Sequence, residues 1–183
     1  HLIQNAGETE RLAASVDSTN GVYLVPAFTG LGAPYWDPEA RGAILGLTRD
    51  SGIAHIVRAA LESVGYQTRD LMNAMREDAL MPVELRVDGG MVVNDWLTQC
   101  LADVLQLPVV RPRVVETTAL GAAFLAGLQS GVYASLDEIA EQWAEDRRFT
   151  PALAADRADG LYSGWQAAVA RVKTAATATA QTA

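Results

Sequence analysis

The chain has 183 residues, of which half are hydrophobic and a fifth are charged, a composition typical of a folded domain with a sizeable core. Its 14 Lys and Arg residues against 22 Asp and Glu give a formal charge of -8, which disfavours nucleic-acid binding. No apolar run approaches the roughly 18 residues of a membrane span, so we expect a cytoplasmic protein with no nucleic-acid or membrane partner.

In chain order, the first residues, HLIQNAGETERL, lack a methionine and have the pattern of the last turns of a helix, so we expect a piece of a longer protein. Branched and aromatic residues at 21–28 predict a buried strand. The Gly- and Pro-rich segment 29–42 predicts a loop. Its aromatic residues, Tyr35 and Trp36, are consistent with two roles, which are lining a cleft and covering an edge of the core.

Apolar residues at helical spacing predict a long amphipathic helix from Ser51 to about Ala79. The later predicted elements are strands at 83–88 and 108–112, and helices at 94–107, 117–131, 135–145 (opened by a Ser135–Glu138 capping box) and 156–173. Strands alternating with helices predict an α/β domain over residues 1–173 with a partly parallel sheet. Three strands make a thin sheet, so we expect further strands upstream. The Ala- and Thr-rich tail, 174–183, is predicted to fray.

Cysteine and histidine usage argues against a metal or disulfide centre. Cys100 is the only cysteine, which excludes an intrachain disulfide and a thiol-rich metal site. Its helical surroundings predict a small core residue. The two histidines, His1 and His55, are far apart in the sequence. We predict no metal site among the chain's own residues.

The segment LRVDGGMVVNDW places Asp88, Gly89 and Gly90 directly after a predicted strand. Ligands of open α/β sheets lie beyond the carboxyl ends of strands. Two glycines remove two Cβ atoms, so a flat ring can lie against the peptide plane. Asn94, near the start of the next helix, has a donor and an acceptor for the edge of a heterocycle. This pattern favours a purine site.

A structural interpretation of the same residues stays open. Gly-Gly after a strand is often only a tight turn, and an asparagine before a helix is often only its N-cap. The chain also has no G-x-x-x-x-G-K-[ST] and no G-x-G-x-x-G between a strand and a helix. A P-loop NTPase and a dinucleotide-binding dehydrogenase are therefore disfavoured.

Several long segments, read in order, resemble the FGGY family of carbohydrate kinases. They are VPAFTGLGAPYWDPEARGAILGLTRD, ESVGYQTRDLMNAM, LRVDGGMVVNDW and ETTALGAAFLAGL, within a resemblance that covers roughly Asn20 to Val172. The first segment is similar to the glycerol kinase branch of the family. The resemblance implies two actin-like, ribonuclease-H-like domains around a cleft, of which this chain is most of the C-terminal one without its first strands.

The resemblance also implies roles for individual residues. Gly90 and Asn94 would contact the adenine of ATP, and Asp88 and Gly89 would shape the turn. Small residues in the following helix would let it pack closely behind the site; they are Gly121, Ala122, Ala123 and Gly127. The ATP phosphates would carry Mg²⁺, and the other partners would be glycerol, an N-terminal kinase domain and further copies in a homo-oligomer.

The resemblance implies that the catalytic aspartate lies in the N-terminal domain and has no counterpart here, so none of Asp37, Asp50 and Asp88 is assigned as a base. The resemblance implies the nucleotide-binding portion of a kinase that transfers the γ-phosphoryl group of ATP to glycerol, giving sn-glycerol 3-phosphate. The chain alone is expected to be inactive. The alternatives are a kinase of the same family for another polyol or sugar, and a non-catalytic actin-like binding module.

Overall fold

The structure, a computed structural model, describes residues 3–77 and 82–174. Its helices and strands, in chain order, are α1 (Glu8–Ala14), β1 (Tyr23–Val25), β2 (Ala43–Leu45), α2 (Ile53–Glu77), β3 (Leu85–Arg86), a 3₁₀ turn (Gly90–Val93), α3 (Asp95–Leu105), β4 (Val109–Pro112), α4 (Thr117–Ser130), α5 (Leu136–Ala140), β5 (Glu145–Phe149) and α6 (Ala155–Val172). The predicted end of the long helix, at about Ala79, lies outside the described residues.

The strands form two separate sheets. Strands β1 and β2 pair antiparallel, and β4 lies between β3, its parallel neighbour, and β5, its antiparallel neighbour. The partly parallel sheet is therefore confirmed. Strand β2 was not predicted, because the sequence of Ala43 to Leu45 is short and continues directly from a Gly- and Pro-rich loop.

The prediction of a helix over 135–145 is wrong at its C-terminal end. Helix α5 ends at Ala140, and Glu145 begins strand β5 instead. The N-terminal half of the prediction is correct, since the Ser135 hydroxyl oxygen accepts the Glu138 N–H at 3.2 Å. Only Phe149 of β5 is buried, so the strand has no alternating pattern in the sequence. Pairing with β4 decides its conformation, and a single sequence segment carries no sign of that pairing.

The main core lies between α2, α6 and β1. Trp165 is fully buried and stacks on Tyr66, with ring centroids 5.6 Å apart. Cys100 of α3 packs against this cluster, as predicted. Burial, followed by the charge of Glu62, raises the pKa of the Cys100 thiol. A second cluster joins α3 to the three-stranded sheet through Leu101, Val109 and Phe149.

A buried carboxylate joins α2 to α6. Asp70 is 4% exposed, and its carboxylate accepts hydrogen bonds from Trp165 Nε1, at 2.8 Å, and from the Tyr162 hydroxyl. Burial, and then the hydrogen bond to Asp70, raises the pKa of Tyr162 to about 12. The hydroxyl therefore stays a donor throughout the neutral range, and Asp70 keeps both of these partners.

The loop between β1 and β2 is anchored by Asp37. One carboxylate oxygen of Asp37 accepts the backbone N–H of Ala40 at 3.0 Å and the Thr174 hydroxyl at 2.8 Å, and the other accepts the Thr174 N–H at 2.7 Å. Tyr35 packs against the core, whereas Trp36 is 76% exposed. Covering a core edge is thus the role that Tyr35 has. Apart from Thr174, the predicted tail lies outside the described residues.

These contacts predict an acid-sensitive fold. The pKa of Asp37 is lowered from 3.8, mainly by the Thr174 hydroxyl, with burial acting in the opposite direction. A lowered folded-state pKa contributes stability above the unfolded value of 3.8 and loses it as the pH falls through the folded value. We expect urea denaturation to show a steeper loss of stability for wild type than for Asp37→Asn between about pH 5 and pH 3. Parallel pH profiles of the two proteins would contradict this.

Helix α4 does not pack as predicted. None of its residues is buried, and Leu125 is 63% exposed. A Cβ added at Gly121 would meet nothing within 4 Å, and one at Gly127 would lie 2.8 Å from the ring of Tyr133, in the turn that follows the helix. The absence of a side chain at Gly127 therefore makes room for the Tyr133 ring in that turn and not for the candidate site. Phe124 of α4 packs edge-on against Tyr133, and it lines a small cavity together with Ile139 of α5.

Within the described ranges, no helix has the length and apolar character that crossing a membrane requires.

Candidate functional site

The Asp88-Gly89-Gly90 turn follows strand β3. Glycine is suited to each of its two glycine positions for a different structural reason. Gly89 has φ +85° and ψ 172°, a region that is essentially restricted to glycine, and its N–H donates to the Val115 carbonyl at 2.8 Å. Gly90 opens the 3₁₀ turn, and a Cβ built there would meet no atom within 4 Å. Gly89 is thus explained by its backbone conformation, whereas Gly90 leaves an uncovered stretch of main chain.

Asn94 is the N-cap of α3. Its Oδ1 accepts the Leu97 N–H at 2.9 Å, which is the structural interpretation left open by the sequence. Its Nδ2 donates to the Thr9 hydroxyl oxygen at 3.3 Å. A primary amide has two N–H donors and two acceptor lone pairs, so one of each remains uncommitted. Capping the helix and binding a ligand are therefore compatible roles for this side chain.

Gly90 and Asn94 line the same cavity, which has a volume of about 650 Å³. Its opposite wall is helix α1 and the two residues before it, with Gly7, Thr9 and Glu10 among the lining residues. Leu97 is among its apolar lining residues. This volume lies within the range of small-molecule sites, about 300 to 1,000 Å³. An apolar lining with a few polar groups suits a flat heterocycle whose edge needs hydrogen bonds.

The other two predicted site residues, Asp88 and Gly89, do not line this cavity. The Asp88 side chain is exposed and makes no hydrogen bond to any of the described residues. Gly89 lies one residue before the cavity wall and sets the path of the chain into the 3₁₀ turn. Of the four predicted residues, the structure thus brings two to the cavity, and the other two lie in the turn that leads to it.

The 3₁₀ turn is held from behind by Arg111 of β4. Its Nη1 donates to the Val92 carbonyl and to Asp95, both at 2.8 Å, and its Nε donates to Asp146 at 2.8 Å. The side chain is only 12% exposed. Burial lowers the pKa of Arg111, but hydrogen bonds to Asp95 and Asp146 outweigh that effect and raise it. The guanidinium therefore stays charged and ties the turn and the first residue of α3 to the sheet.

Two residues that the sequence analysis did not single out, Thr9 and Arg111, contribute to this site. Arg111 has a recognisable signal, because a charged residue within a buried strand needs partners. Thr9 has none in its own segment, since its contact with Asn94 spans 85 residues of sequence.

Among the described residues that line the cavity, the carboxylate is that of Glu10 in helix α1, which the resemblance does not place in a catalytic role. Asp37 is committed to its own loop, and neither Asp37 nor Asp50 lines the cavity. In the described parts of the chain, no group of three or more His, Cys, Asp or Glu side chains is placed to hold a metal ion. The arrangement can bind and orient a ligand.

Comparisons with known proteins agree with this architecture. Residues 1–130 match the sequence profile of the FGGY family of carbohydrate kinases, C-terminal domain. A glycerol kinase of Alcanivorax borkumensis is 64% identical over 173 residues, which is 94% of this chain and 35% of that protein. The chain thus spans about a third of the length of that relative.

Solved structures give the same match in three dimensions. The crystal structure of Plasmodium falciparum glycerol kinase with ADP has a TM-score of 0.83 and 33% identity, covering 95% of this chain and 35% of that one. A ligand-bound xylulose kinase from Lactobacillus acidophilus has a TM-score of 0.74 and 25% identity, covering 92% of this chain and 36% of that one. The fold is that of the actin-like ATPase domain in FGGY sugar kinases.

Proposed function

The chain belongs to the FGGY family of carbohydrate kinases, and we propose that it is the nucleotide-binding portion of an ATP-dependent glycerol kinase. The observation that carries the proposal is the cavity of about 650 Å³ at the carboxyl end of β3, where Gly90 and Asn94 meet helix α1. Its position fits the rule that ligands of α/β sheets lie beyond strand carboxyl ends. High identity to proteins named glycerol kinase supports glycerol as the acceptor.

In this proposal the adenine lies against the bare main chain at Gly90, with its edge at the Asn94 amide. Gly89 supplies the backbone conformation that turns the chain toward the cavity, and Asp88 precedes it on the exposed side of the turn. Adenine stacking on a peptide plane needs no side chain, which agrees with the open space found at Gly90.

The proposed reaction belongs to a longer protein that contains this sequence. A terminal hydroxyl oxygen of glycerol attacks the γ-phosphorus of ATP, the bond to the β–γ bridging oxygen breaks, and the products are sn-glycerol 3-phosphate and ADP. The hydroxyl proton passes to a base in an N-terminal kinase domain. Mg²⁺ is carried by the ATP phosphates and neutralises their charge. Such transfer depends mainly on positioning and charge stabilisation, so domain closure over the cleft is required.

The nucleotide-binding domain comprises residues 1–173 in this proposal, and the protein acts in the cytoplasm as a homo-oligomer. Helix α4 and the parallel edge at β3 then belong to the same domain as the cavity. A substrate panel on the longer protein tests the acceptor: glycerol should be phosphorylated in preference to xylulose and gluconate. Preference for either sugar would contradict the acceptor but not the nucleotide site.

Calorimetric titration of the full 183-residue chain with ADP tests the nucleotide site. The variant Asn94→Ser keeps an oxygen that can cap α3 but removes the amide. We expect its ADP affinity to fall about tenfold, because a lost hydrogen bond is worth about 1 kcal/mol and the reshaped edge adds to this.

The matched control is Asn73→Ser, which alters an asparagine on α2 whose amide contacts Tyr162 and not the cavity. It should leave ADP affinity within about twofold of wild type. Equal affinity of wild type and Asn94→Ser would remove Asn94 from the site. Failure of the wild-type chain to bind ADP would contradict the nucleotide site itself.

A further inference from the structure

We propose that Thr9 is a positioning residue that fixes the orientation of the Asn94 amide and thereby makes the cavity select adenine over guanine. The inference rests on the proposed nucleotide site and adds a specificity determinant to it. Thr9 lies in the first turn of α1, and both it and Asn94 line the cavity.

The Thr9 hydroxyl has only one proton, and that proton is already used. Its Oγ1 donates to the Ala6 carbonyl at 2.7 Å. Toward Asn94, 3.3 Å away, the same oxygen can therefore only accept. The group of Asn94 that faces Thr9 must consequently be the NH₂ and not the carbonyl oxygen.

A second contact imposes the same orientation from the other end of the amide. The backbone N–H of Leu97 is a donor without an acceptor role, and it lies 2.9 Å from Asn94 Oδ1. Turning the amide by half a rotation would set the NH₂ against the Leu97 N–H, a repulsive pair of donors. It would also set Oδ1 against the Thr9 oxygen, where a hydrogen bond could form only if the Thr9 proton left the Ala6 carbonyl. The amide is thus held in a single orientation by two partners.

The fixed amide offers the cavity one N–H donor and one acceptor lone pair. Adenine complements this pair with its N7 acceptor and its N6 amino donor, the arrangement in which asparagine recognises adenine. Guanine has acceptors at both N7 and O6 and would place O6 against Asn94 Oδ1. A rotatable amide could adapt to either base, and the hydroxyl of Thr9 opposes that adaptation.

A purely structural role for Thr9 makes a different prediction. If its hydroxyl only stabilised the start of α1, its removal would weaken the cavity wall for every nucleotide alike. A positioning role changes the ratio of the two affinities instead, because adenine loses a fixed complement while guanine loses a repulsive contact. The ratio of ADP to GDP affinity therefore separates the two roles.

The experiment is calorimetric titration of the full chain with ADP and with GDP, for wild type, Thr9→Val and Thr9→Ser. Valine keeps the branched shape without the hydroxyl, and serine keeps the hydroxyl. We expect wild type to prefer ADP by about tenfold or more. Thr9→Val should lower ADP affinity about fivefold, leave GDP affinity equal or higher, and thus shrink the preference, which Thr9→Ser should restore.

Thr9→Ala, which removes the hydroxyl and favours helix, replaces Thr9→Val if that variant does not fold. An unchanged ADP-to-GDP ratio in the variants lacking the hydroxyl would overturn the inference, as would equal binding of ADP and GDP by wild type. In both cases ADP binding by wild type would leave the nucleotide site standing. Absence of ADP binding by wild type would overturn both proposals together.

Discussion

Asp70→Ala is expected to lower the free energy of unfolding by about 4 kcal/mol, since each of two buried donors left unpaired costs about 1 to 3 kcal/mol. The donors are Trp165 Nε1 and the Tyr162 hydroxyl, and Trp165 is fully buried. Water cannot reach Trp165 without opening the contact between α2 and α6. This loss is a large part of the total stability of a domain, about 5 to 15 kcal/mol.

Urea denaturation followed by tryptophan fluorescence measures the effect. Asp70→Asn should lie between wild type and Asp70→Ala, because the remaining oxygen can accept from one donor while the amide faces the other. Asp17→Ala, at an exposed position, controls for loss of a carboxylate and should change stability by less than about 0.5 kcal/mol. A loss for Asp70→Ala no larger than that of the control would show that the two donors find other partners.

Arg111→Met is expected to destabilise the chain by about 3 kcal/mol and also to weaken ADP binding. The substitution keeps an apolar stem but removes the donors to the Val92 carbonyl, Asp95 and Asp146. The two aspartates are 40 and 45% exposed, so water can replace the hydrogen bonds they lose. The Val92 carbonyl belongs to a buried residue and would keep only the longer hydrogen bond from the Thr98 hydroxyl, at 3.2 Å. Released from β4, the 3₁₀ turn should no longer hold Gly90 in a fixed position.

Arg148→Met is the matched control, because Arg148 lies on the neighbouring strand β5 and pairs with Glu84 and Glu145 at 40% exposure. Exposed ion pairs contribute about 0 to 1 kcal/mol, so this variant should be close to wild type in both measurements. Stability is followed by urea denaturation and ADP affinity by calorimetry. If Arg111→Met lost stability but bound ADP as wild type does, Arg111 would stabilise the fold without positioning the turn.

The elements that could be predicted from sequence are those whose own pattern determines them. In the 25-residue helix α2, apolar residues recur at helical spacing over the whole segment. In α6, Trp165 lies at the centre of the buried face. Strands β2 and β5 were missed, because the first is three residues long and the second has one buried side chain. Their conformation comes from neighbouring strands, and pairing across the chain is absent from local composition.

The residues of the candidate site also differ in whether their own sequence segment predicts them. Gly90 and Asn94 were predicted because they are close in sequence, directly after a strand. The opposite wall of the cavity, with Thr9, comes from a helix some 85 positions earlier, and the packing of α1 against α2 and α3 brings it there. The small residues of α4 led to the expectation that this helix packs closely behind the site, yet none of its residues is buried. Small residues permit close packing, but they do not specify which element the helix packs against.

Helix α1 has only seven residues, and helices that short are not stable by themselves in water. It is stabilised by packing against α2 and α3, so we expect this side of the cavity to open more readily than the side formed by α3. A ligand that fills the cavity would hold helix α1 in place and slow the exchange of the amide protons of α1 with solvent. The measured affinity for a ligand would then combine the cost of ordering helix α1 with the contacts that the ligand makes.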